Sequence, residues 1–401
     1  MGNLIGSVEL QECSAIIGDA LERQASRLFA PDSRKSDKPL RRFSIKETAM
    51  ALRMNYNTLR SFLKFNEDVP EGIMEPGNRR TFSLEEIHEL QQRCFEMGKI
   101  PLGDYPRRSG DDPCAKLVIY NLKGGVSKTT LATNLCEVFA FRGMRVLAID
   151  LDPQSSLSAV FDLRADQDDL LSIYDVLKYD NPVPITEAIQ ATYFPNLDVV
   201  PGSLSMTEFE FETSASFMRG QAVEAWHRKI ANALRLAEDY YDVVVFDTPP
   251  HMSFAVIAAV YAATGMLIPL SAGMLDVDSL EKFLDLGAST LRVIEEQEQQ
   301  KSYDFLRFVL TRYSANDPAQ RQLSAFLRSN LGHRMLVSDF VNSTAISDAG
   351  NTLSPLLEIA PTDFTRKTYD RILESVMGIA LELEHEIMTS WGREPSRQEI
   401  D

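Results

Sequence analysis

The run Lys123-Gly124-Gly125-Val126-Ser127-Lys128-Thr129-Thr130 constrains the fold more than any other part of this chain. It follows the apolar stretch Leu117-Val118-Ile119-Tyr120 and precedes a helical pattern from Leu131 through Phe141, closed by Gly143. A strand, a tight glycine turn and a helix start, in that order, make a phosphate cradle. The N–H groups of the turn and the positive helix end face one spot, with a lysine beside it. An ordinary strand-to-helix loop holding two glycines does not account for the Lys128-Thr129 pair. The G-x-x-x-x-G-K-[ST] pattern asks for glycine at 122 and 127, where this chain has Leu122 and Ser127. A second lysine, Lys123, stands directly before the glycine pair. Two lysines five apart around one turn cannot both be ordinary cradle lysines of one site.

Two further segments end apolar runs in the same way. After 146–149 comes Asp150-Leu151-Asp152-Pro153-Gln154-Ser155-Ser156, and after 243–246 comes Asp247-Thr248-Pro249-Pro250. Asp247, at the end of four apolar residues, has the Walker-B arrangement for Mg²⁺, and Thr129 offers the metal a hydroxyl. Apolar runs recur at 117–120, 146–149, 197–200, 243–246, 266–270, 305–310 and 335–337, alternating with helical patterns. Val243-Val244-Val245-Phe246 lacks period-two alternation, as a strand covered on both faces should. The expected fold is α/β, a doubly wound, mainly parallel sheet.

The chain ahead of this domain reads differently. Residues 3–29 carry an amphipathic pattern with Ile5, Val8, Ile16, Ile17, Ala20, Leu21 and Leu28, ended by Pro31. Over 41–98, Ser44-Ile45-Lys46-Glu47 and Ser83-Leu84-Glu85-Glu86 are capping boxes, and Asn55 can cap a helix from Tyr56 to Phe65. The turn Arg53-Met54-Asn55 suits a helix-turn-helix, and Pro76-Gly77-Asn78-Arg79-Arg80 suits a basic hairpin. Helix, turn, helix, hairpin, helix is the layout of a winged helix and is similar to the MerR type. Arg60 and Lys64 share a helical face; with Asn57 and Thr58 they are the candidate groove readers, and Arg79 and Arg80 the candidate wing contacts. Pro101, Gly103, Pro106, Gly110 and Pro113 mark a linker.

Charge supports that division. The net charge of −17 argues against a protein coated in nucleic acid, yet residues 34–64 hold nine basic and two acidic side chains, a confined polyanion contact. Cys13, Cys94, Cys114 and Cys136 lack metal-site or disulfide spacing. No apolar run reaches the length of a membrane span and no basic-then-apolar leader is visible, so a cytoplasmic protein with no membrane partner is expected.

The paired lysines, D-L-D-P-Q and D-T-P-P resemble the deviant Walker-A ATPases. Pro201-Gly202-Ser203-Leu204, Met274-Leu275-Asp276-Val277, Thr311-Arg312-Tyr313, Ser343 to Gly350 and Phe364-Thr365-Arg366 narrow the resemblance to ParA-type plasmid partition ATPases, more closely the RepA group of repABC-type plasmids. It covers roughly residues 40–393. It implies a cradle of Lys123 to Thr130 for ATP or ADP, with Lys128 acting in its own site and Lys123 reaching the partner's ATP in a homodimer. It implies that Asp152 orients or activates water while Asp150 and Asp247 lie near Mg²⁺. It also implies a ParB-type centromere-binding partner, DNA bound both at an operator and without sequence preference, and repression of the protein's own operon. Arg366, Lys367 and Arg371 are the non-specific DNA candidates. The expected order is helix and linker over 1–40, a candidate dimerisation element; winged helix-turn-helix over 41–100; linker over 101–113; and ATPase domain over 114–401. A nucleotide-regulated repressor without a motor role is the alternative. A MinD-like membrane ATPase is disfavoured because Glu374, Glu382, Glu384 and Glu386 make the C-terminal amphipathic segment acidic. Nitrogenase-type electron transfer is disfavoured because the strands lack cluster cysteines.

Overall fold

The computed structural model describes residues 40–66, 68–218, 226–296, 301–341, 355–359 and 366–395, together with Ile16. The expected helix over 3–29, the Ser343–Gly350 segment and Phe364-Thr365 lie outside the described residues, as do the side chains of Met274 to Asp276, Arg366 and Lys367. Leu40–Asp401 is one compact unit.

Strand β1 (Phe43–Ser44) leads into helix α1 (Ile45–Ala51) through a complete capping box. The Glu47 N–H donates to Ser44 Oγ at 3.3 Å and the Ser44 N–H to Glu47 Oε2 at 2.8 Å. Arg53, at φ 51°, turns the chain into α2 (Tyr56–Phe65), where Asn55 Oδ1 accepts from the Asn57 N–H at 2.9 Å. A hairpin follows, β2 (Ile73–Glu75) and β3 (Arg79–Phe82), turning at Gly77 and Asn78 with φ of 86° and 60°. The second capping box opens α3 (Leu84–Glu96). The three strands pair antiparallel in the order β1-β3-β2.

The main sheet comprises β4 (Ala115–Ile119), β5 (Val146–Asp150), β6 (Gln190–Ala191), β7 (Leu197–Val200), β8 (Val243–Asp247), β9 (Gly265–Ser271), β10 (Phe305–Tyr313) and β11 (Phe340–Val341). Their order is β11-β10-β9-β4-β8-β5-β7-β6, parallel throughout except for β6 against β7. The helices that bear on the site and its packing are α4 (Lys128–Phe141), α5 (Ser156–Val160), α6 (Met206–Met218), α7 (Phe254–Ala262), α8 (Met274–Glu295), α9 (Pro318–Leu331) and α10 (Arg366–Ser390). Successive strand residues feed opposite cores, as a two-residue period requires. Leu117, Ile119, Val243 and Val245 join α4 and α10, while Val118, Val244 and Phe246 join α6 and α7.

The strand expected at 335–337 is displaced. Met335 makes only an isolated bridge to Phe308, and the last strand lies at Phe340–Val341 instead. Arg328 explains the difference: its guanidinium binds the Leu336 and Val337 carbonyls, which keeps them from a ladder. The edge pair β6–β7 adds an antiparallel strand that carries no sequence signal, because two residues are too few to show a period.

The elements over 43–96 pack onto the parallel-sheet domain. Phe43 and Phe141 place their rings 4.8 Å apart. Arg142, 1% exposed, is bound by the wholly buried Glu384 of α10 at 2.5 and 2.7 Å and donates to the Met50 and Ala51 carbonyls at 2.9 Å. Gly143, at φ 102°, has room beside it for Gln91 only because it lacks a Cβ. Residues 101–113 are also tied down, with Trp391 Nε1 on the Pro113 carbonyl and Arg393 on those of Tyr105 and Arg107. Helix α10 buries Ile372, Val376, Ile379, Ala380, Leu383 and Ile387, so its apolar stripe is core. No helix among the described residues is long and apolar enough to cross a membrane.

Candidate nucleotide site and the groups around it

Strands β4, β8 and β5 are the centre of the sheet, and their carboxyl ends bring three separate segments together. Ile119 is level with Asp247 across β4–β8, and Asp150 is level with Asp247 across β5–β8. The glycine loop leaves β4 and α4 begins at Lys128, so the loop and helix N-terminus lie at a strand-order switch, where α/β sheets bind ligands. Gly125 has φ 74° and Ser127 φ 64°, both left-handed. Glycine at 127 would adopt that turn without strain; Ser127 adopts it with no side-chain cap to the helix.

Lys128 is 7% exposed and its ammonium donates to the Lys123 carbonyl at 3.1 Å. Burial pulls its pKa below the usual lysine range, and the Asp247 and Asp152 charges partly restore it. Lys123 is half-buried, with its N–H on Asn121 Oδ1 at 2.9 Å. Thr129 and Thr130 are half-buried on the first turn of α4, Val126 is buried, and Gly124 is exposed beside Pro250.

The acidic residues separate into distinct environments. Asp150 is fully buried: Oδ2 accepts from Ser158 N–H at 2.9 Å and Ser158 Oγ at 2.7 Å, and Oδ1 accepts from Asp152 N–H at 3.2 Å. Burial nevertheless pushes its pKa up to about 6. Asp152 is half-buried and its Oδ1 accepts from Gln154 N–H at 2.9 Å. Asp247 is fully buried, and neither carboxylate oxygen has a well-formed hydrogen bond. Burial, then the Asp150 charge, drives its pKa well up, and the Thr129 hydroxyl beside it only partly offsets that. A buried carboxylate with orphaned oxygens next to a second acid and a threonine hydroxyl has the donor set a hard divalent cation requires. The residues present therefore fit Mg²⁺.

Three further groups stand beside the site. Gly202 sits so close to the D-L-D segment that a Cβ would meet the Asp152 and Asp150 carbonyl oxygens at 2.9 and 3.0 Å, and its N–H holds Ser158 Oγ at 3.0 Å. Arg312, at φ 54°, donates from Nη1 to the Gly125 carbonyl at 3.0 Å, which puts a third cation on the loop. Glu210 of α6 accepts from the N–H groups of Phe254 and Ala255 at 2.8 and 3.1 Å, capping the helix that follows Asp247-Thr248-Pro249-Pro250. Gly202 and Arg312 fall in the Pro201–Leu204 and Thr311–Tyr313 segments that carry the family resemblance, whereas Glu210 carries no sequence signal.

The DNA candidates gather elsewhere. Asn57, Thr58, Arg60 and Lys64 are exposed on α2, while Leu59, Phe62 and Leu63 of the same helix are buried. Arg79 is exposed and Arg80 half-buried on the hairpin, paired in register with Glu75 and Met74. Arg371 is exposed on α10.

A sequence model of the AAA domain family matches residues 115–301, the span of the cradle and its carboxylates. Along almost its whole length, the chain is 35% identical to a replication protein A of Rhizobium rhizogenes, over 397 residues that cover 97% of each. The chromosome partitioning protein ParA of Caulobacter vibrioides is 28% identical over 248 residues, 61% of this chain and 87% of that protein. The chain belongs to the ParA-type plasmid partition ATPases. Its fold is shared with a plasmid partition protein of Borrelia burgdorferi solved with AMPPNP, at TM-score 0.53 and 20% identity over 67% of this chain and 99% of that one. A ParA-type ATPase needs a triphosphate cradle. Among the described residues, the loop with both a lysine pair and left-handed turns at a helix start is 123–130.

Proposed function

We propose that this ParA-type protein is an Mg²⁺-dependent ATPase whose ATP-bound homodimer binds DNA and a ParB-type centromere-binding protein to segregate plasmid copies. The observation that carries the reading is the orphaned Asp247 carboxylate, held beside Asp150 and Thr129 at the mouth of the Lys123–Thr130 loop. Lys128 and the loop N–H groups hold the β- and γ-phosphates in their own subunit. Lys123 reaches the nucleotide of the second copy, so ATP joins the two. Bound Mg²⁺, held by Thr129 and Asp247 with Asp150 nearby, supplies positive charge against the phosphate oxygens. Asp152, half-buried at the rim, orients a water whose oxygen attacks the γ-phosphorus as the bond to the bridging oxygen breaks, releasing ADP and phosphate.

Residues 41–100 form, in this proposal, a winged helix-turn-helix that represses the protein's own operon. The outward row Asn57, Arg60 and Lys64 supports this reading, with Thr58 at its edge and Arg79 and Arg80 on the wing. Non-specific DNA contact would fall to Arg366, Lys367 and Arg371. A nucleotide-regulated repressor without a motor role is the second reading. It is favoured by Arg142, which follows the helix that starts at the phosphate loop and binds the carbonyls that end α1. Asp152→Ala separates the two: loss of segregation with operator repression intact supports the motor. ATPase turnover measured with DNA and a ParB-type protein tests the whole proposal. Joint stimulation is expected, and turnover indifferent to both would count against it.

A further inference from the structure

Helix α6 has one face in the core and another that no described residue covers. Met206, Phe209 and Thr213 are buried on the inner side. On the outer side Phe211 and Met218, seven residues apart, are 75% and 83% exposed, and Leu204, in the turn ahead of the helix, is 58% exposed. Thr207, Ser214 and Ala215 are small residues between them, so the large side chains stand as ridges with gaps that another helix's side chains can enter. Single exposed apolar residues are ordinary, but a stripe at one-heptad spacing marks a contact surface.

Charge selects the occupant. Residues 204–218 contain Glu208, Glu210 and Glu212 and no Lys or Arg. Asp166 accepts from the Leu204 N–H at 3.3 Å, and the Tyr174 hydroxyl lies 3.1 Å from both Glu208 and Glu212, which brings those two carboxylates together. A second copy of the same face would set carboxylates against carboxylates. A cationic amphipathic helix matches both the stripe and its rim.

The inner side of α6 holds the start of α7, the helix that follows the Asp247–Pro250 loop. Glu210 holds the first N–H groups of α7, and Phe217 stacks on Phe254 with ring centres 5.8 Å apart. We infer that α6 is the docking face for a basic amphipathic helix of another protein, and that Glu210 transmits its arrival to the Asp247–Pro250 loop. The docking stands independently of the ATPase reading, whereas the transmission rests on it.

The test uses the full chain and a synthetic Leu/Lys amphipathic helical peptide, with a Leu/Glu twin as control, read by fluorescence anisotropy. The basic peptide should bind and the acidic twin should not. Phe211→Ser with Met218→Ser should weaken binding at least tenfold while leaving basal turnover unchanged, since both side chains lie in solvent. Glu210→Gln should bind as well as wild type but lose the peptide's effect on ATP turnover. Equal binding by the double variant, equal binding of both peptides, or loss of an ATP-dependent dimer in the double variant would each overturn the docking claim. An unchanged turnover in peptide-bound wild type would overturn the transmission alone. Absent basal turnover with binding intact would instead count against the ATPase reading.

Discussion

Asp150 and Asp247 sit level on adjacent strands, both fully buried, and the charge of the first raises the proton affinity of the second. A carboxyl whose folded-state pKa stands above its unfolded value of about 4 binds protons more tightly when folded. The stability it contributes is complete below the unfolded value and is lost as pH rises through the folded one. For Asp150 that window runs from about 4, the unfolded value, to about 6. Nucleotide-free protein should therefore melt at progressively lower temperature across that range, and Mg²⁺ with ADP should blunt the decline. Asp247→Asn should flatten the decline and raise the neutral-pH melting temperature while abolishing turnover. A steeper decline in that variant would contradict the assignment. Ser127→Gly makes a second case: it removes a left-handed serine, so stability by chemical denaturation should rise by about 0.5–1 kcal/mol with nucleotide binding retained.

At the scale of elements, α4 spans the distance between the proposed nucleotide loop and the proposed DNA-binding unit. Its first turn carries Lys128 and Thr129, and Arg142, the residue that follows its last turn, is buried against Glu384, Met50 and Ala51. Arg142→Ala removes the nearer of two guanidiniums from the buried Glu384 and leaves Arg53 at 3.8 Å; breaking a buried ion pair from one side costs about 3–5 kcal/mol. Urea unfolding should show that loss; a change under about 1 kcal/mol would mean that Arg53 alone compensates Glu384. The capping boxes at Ser44 and Ser83, the Asn55 cap and the strand-loop-helix at 117–141 are legible in the sequence, because each depends on residues within a few positions of one another. The Arg142–Glu384 pair joins positions 242 apart, Arg312 meets Gly125 across 187, and Glu210 meets Phe254 across 44. No period or spacing rule reaches that far. Glu384, which the sequence places on an acidic helix face, lies wholly inside, because the Arg142 and Arg53 guanidiniums compensate it.

For the molecule as a whole, the unit carrying the basic, outward-facing α2 is fixed onto the parallel-sheet domain by buried contacts rather than tethered by a loose strand of chain. Deleting residues 1–100 would uncover Phe141 and Arg142, so point changes are the better probe of DNA recognition. Arg60→Ala and Lys64→Ala together should weaken operator binding and lower its salt dependence by about two counterions; an unchanged salt slope would remove α2 from the interface. The account turns most on how two such molecules share nucleotide. Sedimentation of wild type and Lys123→Ala with ATP and Mg²⁺ tests that directly. The wild type should sediment as a dimer, and the variant should bind ATP yet remain a monomer. A variant that dimerises on ATP as fully as the wild type would contradict it.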